Sequence, residues 1–233
     1  MLKQIDRRIW VAEQPFKYLG LEVGTRMTVI LQADRSLLLI SPIKINSTLK
    51  QQLDNLGTVK YIIAPNLFHH LYLERSQQLY PQAKIIAPIG IETKQPDLEI
   101  ALTFERDLID FNGELEYIPF EGFQVFIPPK IAKVNEIVFF HPDSKTLIIT
   151  DSAFNFDRNF PPLTQLATRI IGSNRSLKPS LLEKVATRDK ETVRKAIDKI
   201  LAWDFQRVIM AHGNIVEENA KEKLTAGYQW LVS

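Results

Sequence analysis

The chain has 233 residues, 45% hydrophobic and 24% charged, with a formal net charge of +2, an ordinary globular composition able to bury a sizeable core. Its charge is near balance, and Lys184, Arg188, Lys190, Glu191, Arg194 and Lys195 read as a solvated helix face, which excludes a clustered nucleic-acid surface. The absence of cysteine excludes disulfides, thiolate zinc sites and cysteine nucleophiles.

No apolar run approaches the roughly 18 residues that span a bilayer. The segment Met1-Leu2-Lys3-Gln4-Ile5-Asp6-Arg7-Arg8 lacks the apolar stretch of a signal peptide. A cytoplasmic location without a membrane partner is therefore expected.

In chain order, residues 8–12 read as a strand, and Pro15, Gly20 and Gly24 mark a loop. The β-forming runs 26–31 and 36–41, joined through Asp34-Arg35, predict a hairpin. Asn46 or Ser47 caps a helix over 47–56 that buries Leu49 and Leu53 and stops at Gly57. Residues 59–64 form a short apolar strand, a helix follows over 69–79, and 84–87 is the next strand; this strand–helix–strand order predicts a parallel unit.

Residues 89–113 give turn signals at Pro96-Asp97 and Asn112-Gly113. Strands are read at 114–120 and 123–127, with a break at Pro128-Pro129. A second hairpin joins 136–140 to 146–150. A loop over 152–162 leads to helices at 163–172, 179–188 and 190–203, with Gly172-Ser173-Asn174 between the first two. A last strand covers 207–211, and a helix over 217–231 carries Ala220, Leu224, Tyr228 and Leu231 on one stripe. There is no short repeat and no linker, so one domain is expected over 1–233.

All four histidines stand at or just beyond the ends of apolar runs. His69 and His70 are adjacent, after Ala64-Pro65-Asn66. His141 opens His141-Pro142-Asp143, His212 precedes Gly213, and Asp151 ends Thr146-Leu147-Ile148-Ile149-Thr150-Asp151. Imidazole and carboxylate suit zinc, iron or manganese. Open sheets gather ligands outside the strand carboxyl ends.

Each residue also has a purely structural reading. The histidine pair can bond backbone at a helix start, Asp151 can cap a loop, and His212 can serve a turn. Asn66 can cap the following helix, and Arg26 reads as a surface residue. His141 reads as an exposed turn residue. Phe154, Phe156 and Phe160 either line a pocket near Asp151 or pack their loop onto the core. The chain has no phosphate loop, Gly-x-Ser-x-Gly elbow or dinucleotide fingerprint.

The order of 61–70, 147–151 and 208–213 resembles the metallo-β-lactamase-fold superfamily, in which an apolar strand ends in His-x-His-x-Asp-His and later strands end in a bridging Asp and a His. More narrowly, Arg26-Met27-Thr28-Val29, the Ala64-Pro65-Asn66-x-x-His-His element and the element from His141 through Asp151 to Phe154-Asn155 resemble an uncharacterised cyanobacterial and plant family, a DUF4336-like domain of unknown function. The resemblance implies an α/β (α+β) four-layer αβ/βα sandwich, with two mixed β-sheets flanked by helices.

It also implies that Pro65 and Leu67 replace two metal ligands, with Glu121 the replacement for a third. His70, Asp151 and His212 would remain as ligands to one ion, with His69 a fourth ligand or a support. Asn66, Glu121 and His141 are candidates for the surrounding pocket. Two functions follow from the resemblance. One is a mononuclear metallohydrolase, in which a metal-bound water attacks a small ester, thioester, phosphoester or amide. The other is a non-catalytic module that has lost its metals and binds a ligand or partner. An iron site for electron transfer or oxygen handling ranks last. Substrate and oligomeric state are not legible.

Overall fold

The computed structural model describes residues 1–127, 130–133, 135–170, 172 and 176–231. The expected break at Pro128-Pro129 and the Ser173-Asn174 part of the inter-helix turn lie outside the described residues. Two compact units are present: Met1–Gln14 with Thr25–Glu114, and Pro15–Gly24 with Leu115–Ser233.

The first unit begins with β1 (Leu2–Asp6) and β2 (Ile9–Gln14). The next two strands, β3 (Lys17–Tyr18) and β4 (Leu21–Glu22), form a small hairpin that belongs to the second unit. The first unit continues with β5 (Thr25–Leu31), β6 (Ser36–Ile40), α1 (Ser47–Leu56), β7 (Thr58–Ile63), α2 (Leu73–Leu79), β8 (Lys84–Ala87) and β9 (Ile100–Thr103). Its seven-stranded sheet runs β1-β2-β5-β6-β7-β8-β9, antiparallel as far as β6 and parallel beyond it.

The predicted hairpin is the β5–β6 pair. Asp34 Oδ1 accepts from Ser36 N at 2.8 Å across its turn. Strand β6 is buried along its whole length, and Leu37, Leu39, Ile62 and Ile85 have no exposed surface. Helix α1 starts where Asn46 Oδ1 accepts from Leu49 N at 2.8 Å, and it buries Leu49 and Leu53. Asn46→Ala is expected to lower the unfolding free energy by about 1 kcal/mol in chemical denaturation, because that amide loses its partner. Arg26, read as a surface residue, is only 7% exposed and pairs with Glu13 at 2.7 Å.

The second unit contains β10 (Glu116–Phe120), β11 (Gln124–Ile127), β12 (Lys130–Lys133), β13 (Glu136–His141), β14 (Thr146–Ile149), α3 (Pro162–Ile170), α4 (Leu181–Ala186), α5 (Lys190–Ala202), β15 (Arg207–Met210) and α6 (Ala220–Tyr228). Its main sheet runs β10-β13-β14-β15, with a parallel pair only between β14 and β15. The β11–β12 pair forms a separate hairpin.

Helix α5 is capped by Asp189, which accepts from Thr192 N, and it buries Val193, Ala196, Ile197 and Ile200. These join Phe120, Val138, Leu147, Val208 and Met210 in the core of the unit. On the outer face, Lys190, Glu191, Arg194 and Lys195 are exposed as expected. Among the described residues, no helix is long and apolar enough to cross a membrane.

Some elements differ from expectation. The loop at 15–24 contains the β3–β4 hairpin, and β9 and β12 were not legible. Helix α2 starts only at Leu73, so His69 and His70 lie in a turn before it. Helix α6 covers Ala220–Tyr228, and a 3₁₀ turn follows at Gln229–Leu231.

Candidate functional site

In the first unit, β7 ends at Ile63 and the chain turns at Pro65-Asn66. Asn66 is 3% exposed, and its Oδ1 accepts from Phe68 N at 2.9 Å and His69 N at 3.1 Å. Asn66 therefore caps the turn that holds His69 and not helix α2, whose N-cap is Tyr72. His69 Nδ1 lies 2.6 Å from Ser41 Oγ, just past β6.

His70 turns to a different partner, with Nδ1 3.0 Å from Gln95 Nε2. An amide N–H can only donate, so His70 Nδ1 accepts, and in the neutral ring the proton sits on Nε2. Burial, then the charges of Lys94 and His69, hold the His70 imidazole below its ordinary pKa.

In the second unit, Asp151 follows β14 and His212 follows β15. These strands are parallel neighbours, so both residues emerge from the same edge. His212 Nδ1 lies 2.5 Å from the carbonyl oxygen of Gly24, and the Phe16 ring stacks on the imidazole at 5.9 Å. A carbonyl only accepts, so Nδ1 carries the proton and Nε2 presents a lone pair in the neutral ring. That Nε2 stands 3.7 Å from Asp151 Oδ1.

Two acceptors at this spacing repel unless a proton or a cation stands between them. Two ligands held at about 2.0–2.2 Å by a tetrahedral zinc would lie roughly 3.4 Å apart. The donor types and their separation therefore fit a divalent ion. Gly213, at φ +85°, lets the chain turn directly after His212 against the backbone of Asn155.

Sequence reasoning missed the group beneath Asp151. Glu136, 3% exposed, accepts from the amides of Thr150 (2.6 Å), Asp151 (2.7 Å) and Ser152 (2.9 Å). Burial pushes its carboxyl up to about 7, the Asp151 charge adds to this, and the Thr150 and Asp151 amides pull it back. The available signal was register. Phe139 faces Ile148 in the hairpin, and continuing that pairing three places sets Glu136 opposite Asp151. Ser41, Gln95 and the Gly24 carbonyl carried no such signal, because their roles depend on tertiary placement.

His141, expected as an exposed turn residue, is 1% exposed and bonds Ser144 Oγ at 2.7 Å. It pairs with Thr146 at the start of β14, the opposite end of that strand from Asp151. Glu121 is exposed and accepts from Asn135 Nδ2 at 3.3 Å. Phe154, Phe156 and Phe160 contact one another in series, with Phe156 3% exposed, so these rings pack their loop. A cleft of about 570 Å³ opens beside Asn155, Lys178, Glu217 and Lys223, but neither Asp151 nor His212 lines it.

Solved structures share this architecture. A metallo-beta-lactamase from Pontibacter korlensis matches with a TM-score of 0.65 and 14% identity, over 98% of each chain. The metal-soaked Flv1 flavodiiron core from Synechocystis sp. PCC6803 matches at TM-score 0.65 and 19% identity, over 100% of this chain and 60% of that one. The mono-zinc form of the metallo-beta-lactamase FIM-1 from Pseudomonas aeruginosa matches at TM-score 0.57 and 12% identity, over 99% and 95%. The fold is thus the metallo-β-lactamase fold, an α/β arrangement of mixed sheets and helices.

Within that class, residues 6–180 match the domain of unknown function DUF4336, and the chain belongs to that family. No curated protein sequence matches the chain.

Proposed function

We propose that the protein is a mononuclear metal-dependent hydrolase. In this reading Asp151 and His212 of the second unit hold one zinc, iron or manganese ion, through a carboxylate oxygen and a ring nitrogen. The observation that carries it is the facing pair in the second unit, His212 Nε2 at 3.7 Å from Asp151 Oδ1, with the imidazole tautomer set by Gly24. Fixing one ring nitrogen so that the other can ligate is how protein metal centres orient histidine.

Within the first unit, Ser41 Oγ engages His69 Nδ1 in the same manner. His70 is assigned to the support of the turn, since its Nε2 carries the proton while Gln95 occupies Nδ1. When bound, the ion would supply a Lewis acid and lower the pKa of a water toward neutrality. The chain's own residues orient: Asn66 holds the His69 turn, Gly24 and Phe16 hold His212, and the backbone after β14 carries Asp151. The substrate is a small ester, thioester, phosphoester or amide rather than a nucleic acid, and the working compartment is the cytoplasm.

Pro65 and Leu67 favour a second reading, because neither side chain can ligate a metal where the fold's relatives carry histidine. Under it the protein is a metal-free binding module. Metal analysis separates the two. Protein purified without chelator should carry about one equivalent of zinc, iron or manganese. Asp151→Ala and His212→Ala should each weaken binding more than about a hundredfold, beyond the usual loss on removing a supporting partner. Wild-type protein that takes up no metal would leave the binding-module reading standing, and unchanged affinity in both variants would remove these ligands from the hydrolase reading.

A further inference from the structure

We propose that Glu136, assisted by Tyr228, is the positioning residue that sets the Asp151 carboxylate; the inference rests on the metal reading above. The paired ladder of the main sheet stops at Ile149, opposite Met210. The next three residues lie beyond that paired ladder, in a setting where an unmade backbone bond is costly.

Glu136 takes all three of those amides on one carboxylate. Its Oε1 accepts from Thr150 N at 2.6 Å, and its Oε2 accepts from Asp151 N at 2.7 Å and Ser152 N at 2.9 Å. The Ser152 hydroxyl adds a fourth bond to Oε1 at 3.2 Å. Successive amides converging on one anion fix the local backbone dihedrals. The direction of the Asp151 side chain follows from that backbone.

Tyr228 closes the turn from another side. It is 3% exposed on α6, and its hydroxyl donates to the Ser152 carbonyl at 2.5 Å. The turn is thus tied through three amides to β13 and through one carbonyl to a helix. Neither Glu136 nor Tyr228 reaches toward His212 in any of these bonds. They act on the Asp151 carboxylate only through the main chain, which makes them positioning residues and not ligands.

A bond network of this kind could serve stability alone, so the test must read something that stability does not move. Glu136→Gln is nearly isosteric but turns one acceptor oxygen into a donor that faces amide donors. Cobalt(II) affinity, measured by competition with a chromophoric chelator, should fall about 10–100-fold in Glu136→Gln. The visible ligand-field bands of the cobalt protein should shift at the same time. Leu53→Ala, which weakens the core of the first unit, should lower the melting temperature and leave affinity and bands unchanged.

Tyr228→Phe deletes one hydroxyl and keeps the ring. It should show a smaller loss of the same kind, and it carries the test if Glu136→Gln does not fold. Wild-type protein that binds no cobalt would overturn both this inference and the metal reading. Wild-type binding with wild-type affinity and spectrum in Glu136→Gln, or in Tyr228→Phe if that variant alone folds, would overturn this inference only. An equal loss in Leu53→Ala would do the same, by showing that affinity merely follows stability.

Discussion

Gly213→Ala should lower the unfolding midpoint by roughly 6–12 °C, corresponding to about 3 kcal/mol for a protein of this size. Two costs combine. At φ +85° an L side chain is strained, and such conformations cost on the order of 1–3 kcal/mol. The new Cβ would also stand 2.7 Å from the Asn155 carbonyl oxygen and 3.2 Å from its carbon. Both atoms are backbone, so no flexible side-chain tip can move aside. The Asn214 amide donates to that same Asn155 oxygen at 2.8 Å, so relieving the clash stretches this bond. Gly113→Ala makes a clean comparison. Gly113 has a similar φ of +71° but nothing within 4 Å of the added carbon, so only the dihedral strain of about 1 kcal/mol should appear there. Calorimetric melting of the two variants checks this, and equal midpoints would remove the close approach as the cause.

Stability should also fall as pH rises from about 5 to 8, with Glu183 one of its two sources. Burial pushes its carboxyl from the ordinary 4.5 up to about 7, the Asp151 charge adds to this, and the Ser180 hydroxyl and amide oppose it. The folded chain therefore holds a proton that the unfolded chain releases. The stability linked to that proton is fully present below about 4.5 and is lost as pH rises through about 7. At 1.36 kcal/mol per pH unit, the full loss is about 3 kcal/mol.

Glu136 shifts in the same direction. His70 works against both, since its lowered pKa makes the fold more stable as pH rises. Glu183→Gln isolates the effect, because a neutral amide has nothing to lose. Its urea-unfolding free energy should show a markedly flatter pH profile over this range and exceed that of wild type at pH 8. An unaltered slope would show that Glu183 is not the titrating group.

Periodicity and turn chemistry carried most of the architecture. The β5–β6 hairpin, capped α1 and the parallel β7–β8 pair were all readable, because each rests on neighbours in sequence. The β3–β4 hairpin was not, since its strands have two residues each, too few to show alternation. For the site, Asp151 and His212 could be anticipated from strand ends, and the parallel β14–β15 pair does deliver them to one edge. The different orientations of His69 and His70 could not. They depend on Ser41 and Gln95, which come near only after folding. His141 misled for a related reason. A His-Pro-Asp turn reads as exposed, whereas Ser144 and Thr146 give its ring a buried polar niche.

The bond between His212 and Gly24 joins residues 188 positions apart. The Gly24 carbonyl is made 188 residues before its imidazole partner. Closing so long a loop is entropically unfavourable and slow compared with forming the local hairpins. Proton placement on His212 therefore waits on a long-range contact. A chain that loses the segment up to residue 24 keeps Asp151 and His212 but not the carbonyl that places the His212 proton.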